Sequence, residues 1–118
     1  MYSFCQVDLM GIKYLTKIAT QCRDHATEVI CVTSYYVKVK SAADESFTTV
    51  CGTESCPQLF NGNDANIDIT KIDSIVTNEF DWPIAARFVR LNPQSWTSEL
   101  AMRWELYGCE TLDYRPSP

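Results

Sequence analysis

Six cysteines and one histidine are the residues of this chain best equipped for chemistry: Cys5, Cys22, Cys31, Cys51, Cys56, Cys109 and His25. They could build a disulfide framework, hold a metal, or pair a thiolate with an imidazole. An even cysteine count in a small domain reads as a disulfide framework. Such bridges persist in oxidising compartments. The competing reading is a set of buried free thiols in a cytosolic protein. Zinc is disfavoured, because no Cys-x-x-Cys pair occurs and His25 stands alone, whereas structural zinc sites use closely spaced ligand pairs. Catalysis fares worse. Asp24 is beside His25 in sequence, but no Gly-x-Ser-x-Gly elbow accompanies them. A cysteine nucleophile would need a free, activated thiol near the imidazole. The residues therefore predict a protein without enzymatic activity, cofactor or metal. Cys51 and Cys56 flank Gly52-Thr53-Glu54-Ser55, and a bridge there closes a small loop if their Cα atoms lie within about 7 Å.

The elements that must position these residues are β-rich. The chain has 118 residues, which fits one domain. Its apolar share of 46% and charged share of 21% are ordinary for a globular protein. No apolar run approaches the ~20 residues of a membrane helix, and the first residues lack the pattern of a signal peptide. A net charge of −5 argues against nucleic acid, which favours a basic surface. Short β-prone runs separated by turn residues suggest a sandwich or barrel. Val29 to Lys40 is the clearest strand, with Tyr35, Val37 and Val39 alternating against Tyr36, Lys38 and Lys40. Residues 12–20, 47–50, 67–69, 87–91 and 100–107 are further strand candidates, and a helix is conceivable between Thr70 and Asn78. Asn61-Gly62-Asn63-Asp64 is a turn signal. The residues before Pro83 and Pro93 are expected to be extended. Arg87, Arg90, Arg103 and Glu105 read as paired charges within a sheet, not as a binding patch.

Two stretches resemble the discoidin family, also called the factor V/VIII type C domain. The first runs Leu59-Phe60-Asn61-Gly62-Asn63, then Phe80-Asp81-Trp82-Pro83-Ile84-Ala85-Ala86-Arg87-Phe88-Val89-Arg90-Leu91. It closes with Pro93-Gln94-Ser95-Trp96 and Met102-Arg103-Trp104-Glu105-Leu106-Tyr107-Gly108-Cys109. The second comprises Phe4-Cys5-Gln6-Val7-Asp8-Leu9, Ile18-Ala19-Thr20-Gln21-Cys22 and Val32-Thr33-Ser34-Tyr35. The resemblance implies an all-β, discoidin-like jelly-roll β-sandwich over residues 1–111 that lacks the family's N-terminal segment, with 112–118 as a tail or linker. In the family an upstream cysteine pairs with the position of Cys109. Cys5 and Cys109 are thus expected either to pair with each other or to leave Cys109 without that partner. Trp82, Trp96 and Trp104 match positions that mostly support packing and loop anchoring.

By the same resemblance, Arg23 to Glu28 form a protruding loop that touches ligand, and a Cys22–Cys31 bridge is expected to tie its base. Arg23, Asp24, His25, Thr27 and Glu28 are the implied ligand contacts. Two acids and no aromatic at the tip disfavour phospholipid, because burying an unpaired carboxylate in hydrocarbon is costly. The expected role is an extracellular adhesion or recognition module, secreted or at the cell surface, for a matrix or surface glycan or protein. The alternatives are a phospholipid-binding module, or a structural fragment that associates with a partner or itself through strand edges.

Overall fold

Alternation of apolar and polar side chains makes the longest sequence-legible strand. From Val32 to Lys40 the side chains of Val32, Tyr35, Val37 and Val39 are buried, and those between them are partly exposed. The computed structural model describes residues 6–25, 28–64, 74–97 and 103–110. Eight strands occur among them: β1 (Gln6–Gln21), β2 (Arg23–His25), β3 (Glu28–Ile30), β4 (Val32–Lys40), β5 (Thr48–Thr49), β6 (Phe60–Asn61), β7 (Ile75–Trp96) and β8 (Arg103–Cys109). All pairings are antiparallel. The larger sheet runs β5-β4-β7-β1-β8 with β6 also on β4, and β2 and β3 form a separate hairpin.

β1 and β7 have 16 and 22 residues, well beyond the usual ~3–10. They reach that length by bending. The β1–β7 register shifts between Asp8 and Lys13 and again between Leu15 and Lys17. Met10 takes a φ of 67° in the first irregularity. The far half of β1 lies between the start of β7 and β8, whereas the end of β7 lies between the near half of β1 and β4. The two long strands thus belong to both layers of an all-β sandwich of jelly-roll type.

Among the described residues, one core fills the space between the layers. It joins Leu15, Ile18 and Trp104 to Tyr35, Val37, Val39, Val89 and Leu91. The Phe60 ring stacks on Tyr35 with centroids 5.6 Å apart and meets Phe80 edge-on at 5.6 Å. Asn78 donates from Nδ2 to the Tyr35 hydroxyl at 3.1 Å and to the Asn61 carbonyl at 2.9 Å. Burial pushes the Tyr35 phenol up to about 12.

Several expectations need correction. Ile75 to Asn78 pair with Gln21 to Ile18 as strand, not helix; Thr70 to Asp73 lie outside the described residues. Cross-strand partners decide here, because three apolar residues could not specify a helix against them. The run 47–50 contracts to Thr48–Thr49, and the run 67–69 is outside the described residues. Trp104 is fully buried, but Trp82 and Trp96 are 45% and 46% exposed.

Candidate functional site

A disulfide roots a hairpin at one end of the sandwich. Cys22 follows β1 and Cys31 precedes β4; both are buried, and their Cα atoms are 4.5 Å apart in the bond. Between them β2 pairs with β3 in the register Arg23–Ile30, Asp24–Val29 and His25–Glu28. The Arg23 side chain is exposed and Ile30 is buried. Asp24, His25 and Glu28 are placed here by their backbone pairing alone. Thr27 lies outside the described residues. The sulfurs nearest to His25 in sequence are therefore consumed in a bridge, so they are not thiol nucleophiles.

Thr97 braces the hairpin from the end of β7. Its backbone N–H donates to the Cys31 carbonyl at 3.0 Å. Its hydroxyl accepts from the Cys31 N–H at 3.0 Å and donates to the Val29 carbonyl at 3.4 Å. Nearby, the turn after β6 is tied to the start of β4: the Gly62 N–H donates to the Thr33 carbonyl at 2.8 Å and Asn63 to Val32 at 3.0 Å. A Cβ at Gly62 would collide with the Val32 carbonyl oxygen. Asn63, itself buried, donates from Nδ2 to the Ser74 carbonyl at 3.2 Å.

The hairpin end also carries residues that the sequence did not single out for binding. Trp96 is in register with Val32. Ile75, 56% exposed, and Arg103, also exposed, both pair with Gln21, the residue before Cys22. Trp96 was expected to support packing and loop anchoring, and Arg103 to pair within the sheet. Nothing in the sequence pattern marks them, because their placement follows from cross-strand register with Val32 and Gln21.

The other bridge and charges sit elsewhere. Cys51 and Cys56 are bonded with Cα atoms 4.5 Å apart. Their loop is held on β7 by Asp81, whose Oδ2 accepts from the Thr53 N–H at 2.7 Å and hydroxyl at 3.2 Å. Cys109 is a free, exposed thiol, and Cys5 lies outside the described residues. Arg87 grips Asp8 through Nε at 2.9 Å and Nη2 at 3.1 Å. That contact holds the Asp8 carboxyl below the usual range. Arg90 donates twice to the Gln6 amide oxygen, at 3.1 and 2.8 Å. Among the described residues no group of three or more His, Cys, Asp or Glu is arranged to hold a metal.

The family model described as "F5/8 type C domain" matches residues 2–106. The chain is 40% identical to neurexin-4 of Drosophila melanogaster over 110 residues, covering 92% of this chain and 8% of that protein. It is 32% identical to human neuropilin-1 over 111 residues, covering 92% of this chain and 11% of that protein. To human coagulation factor V it is 32% identical over 106 residues, with shares of 89% and 4%. The chain thus spans a small part of each of these relatives. Among solved structures, recombinant discoidin II of Dictyostelium discoideum superposes with a TM-score of 0.70 at 27% identity, covering 92% of this chain and 38% of that one.

Proposed function

Because the chain belongs to the F5/8 type C domain family, we propose that it is a non-catalytic extracellular recognition module that binds a glycan or protein ligand through loops at one end of its sandwich. The observation that carries this reading is the β2–β3 hairpin, tied by Cys22–Cys31 and braced by Thr97. A short hairpin fixed at its root presents side chains with little ordering cost on binding. Arg23, Asp24, His25, Thr27 and Glu28 supply the contacts. The exposed Trp96 adds an aromatic surface at the same end. The two disulfides support an oxidising, extracellular setting. Phospholipid suits the loop less, because its acids would have to enter hydrocarbon.

Replacing Arg23, Asp24 and Glu28 with alanine together should abolish binding to the ligand identified on a glycan and cell-surface protein array, with the circular dichroism spectrum unchanged. Unaltered affinity would defeat the proposal. Self-association is a second reading. A groove of about 270 Å³, lined by Leu9, Leu15, Leu106 and Cys109, opens beside the edge of β8. Met10 is 80% exposed in the neighbouring β1 irregularity, with Ile12 beside it. Sedimentation of the same proteins at rising concentration separates the two readings.

A further inference from the structure

The outer face of the layer built by β4, the end of β7 and the start of β1 gathers cations. Cross-strand register sets Lys38 directly opposite Arg90, with Gln6 of β1 continuing that row. The next row is Lys40, Phe88 and Asp8. Lys40 Nζ lies 4.6 Å from the centre of the Phe47 ring and 5.2 Å from that of Phe88. The Arg90 guanidinium lies 4.1 Å from the Phe47 centre, and that of Arg87 lies 4.9 Å from the Phe88 centre. Lys38, Lys40, Arg87 and Arg90 face one strand carboxylate, Asp8, so this face is cationic within a chain of net charge −5. Asp44 and Glu45 bound the face on the loop after β4, where the Glu45 carboxylate accepts from the Ser41 N–H at 3.4 Å.

Stability alone does not favour this arrangement. Like charges directly opposite on antiparallel strands repel, and Lys38 and Arg90 are such a pair. The partners of the cations are mostly neutral. Gln6 orients Arg90, the Ala43 carbonyl accepts from Lys40 at 3.0 Å, and the Phe47 and Phe88 rings hold both heads. Such contacts fix a cation in place without cancelling its charge. These contacts offset part of the repulsion between Lys38 and Arg90 but leave the positive charge of the face available to an anionic ligand.

We infer that this face is a binding site for a sulfated polysaccharide, laid across β4, β7 and β1 with its sulfates on Lys38, Lys40 and Arg90. The site is separate from the hairpin end and does not rest on that reading. Neutral hydrogen-bonding side chains share the face: Tyr36 opposite Asn92, Thr49 opposite Lys38, and Gln6. That mixture of cations with hydroxyls and amides matches a chain bearing both sulfates and sugar hydroxyls. An acidic peptide would gain most from an unpaired strand edge. A membrane would need protruding apolar tips, and both phenylalanines here are only partly exposed.

The test is titration of the protein, over a series of salt concentrations, with heparin and dextran sulfate, beside unsulfated dextran, polyglutamate and phosphatidylserine vesicles. Both sulfated polymers should bind and unsulfated dextran should not. The log of affinity should fall linearly with the log of salt, as counterions are released. In Lys38→Gln with Lys40→Gln, affinity should drop about tenfold or more and the slope should flatten by about 1.5, from roughly 0.7–0.9 per cation removed. Lys38→Arg should bind as the unaltered protein does, and the midpoint of thermal unfolding of Lys38→Gln should hold or rise. Absence of binding, undiminished binding by the double variant, or stronger binding to polyglutamate or vesicles would overturn the inference. Binding by Arg23→Ala should match the unaltered protein, which keeps this outcome distinct from that of the hairpin experiment.

Discussion

Tyr35 shows how one buried residue couples the sandwich to solvent conditions. Its ring is enclosed by Phe60, and its hydroxyl accepts from Asn78. Burial raises its phenol to about 12, whereas in the unfolded chain it ionises at the ordinary value near 10. The stabilisation is therefore complete below pH ~10 and is lost as pH rises from there through ~12, because the unfolded chain alone gives up the proton in that window. Tyr35→Phe should make stability less dependent on pH between 10 and 12, by on the order of 2 kcal/mol. Denaturant melts of both proteins at pH 9 and pH 11.5 check this, and parallel slopes would count against it. The inward direction of Tyr35 was legible from alternation with Tyr36. Its partner was not, since Asn78 is 43 positions away. The Asp8–Arg87 pair was equally hidden, with 79 positions between the partners. Pattern reports which way a side chain points; it does not report what the other layer brings to meet it.

At the scale of elements, the β2–β3 hairpin depends on two fastenings, the Cys22–Cys31 bond and the Thr97 brace. Cys22→Ala with Cys31→Ala should lower stability by about 2–3 kcal/mol, chiefly by freeing the unfolded chain. It should also speed amide exchange at Val29 and Ile30 more than at Val37. Uniform loss of protection across β3 and β4 would contradict the hairpin's separate fastening. The strands with clean alternation, above all β4, were readable from the sequence, and so was the family signature around β7 and β8. The 22-residue span of β7 was not. The residues before Pro83 and Pro93 were expected to be extended, and the strand runs through both. Each sits where the ladder is irregular: Pro83 opposite the shift between Leu15 and Lys17, Pro93 beside the shift between Ser34 and Tyr35. A proline without an N–H is tolerated there because no ladder bond is lost. Trp96, at the end of β7, is only partly covered, which leaves it the anchoring role of the two that the family resemblance implied.

Among the described residues there is one core, and Trp104 of β8 is its largest fully buried side chain. Trp104→Ala should cost about 3–5 kcal/mol, a large part of the ~5–15 kcal/mol that holds a domain of this size. Loss of secondary structure and burial of the aromatic rings should still fall in one transition by circular dichroism and near-ultraviolet absorbance. Two separated transitions would mean that the layers fold independently. The lie of β1 and β8 has a mechanical consequence. They are antiparallel neighbours, with Tyr14 opposite Cys109 at one extremity and Gln21 opposite Arg103 at the other. Tension applied through the chain at Gln6 and Glu110 loads this ladder from the Tyr14–Cys109 extremity. On the β8 side the Lys13–Glu110 ion pair, 2.9 Å long, meets that load together with the last ladder bonds, which then part in sequence like a zip. The β2–β3 hairpin stands at the far extremity, so strain that enters through β8 reaches it last.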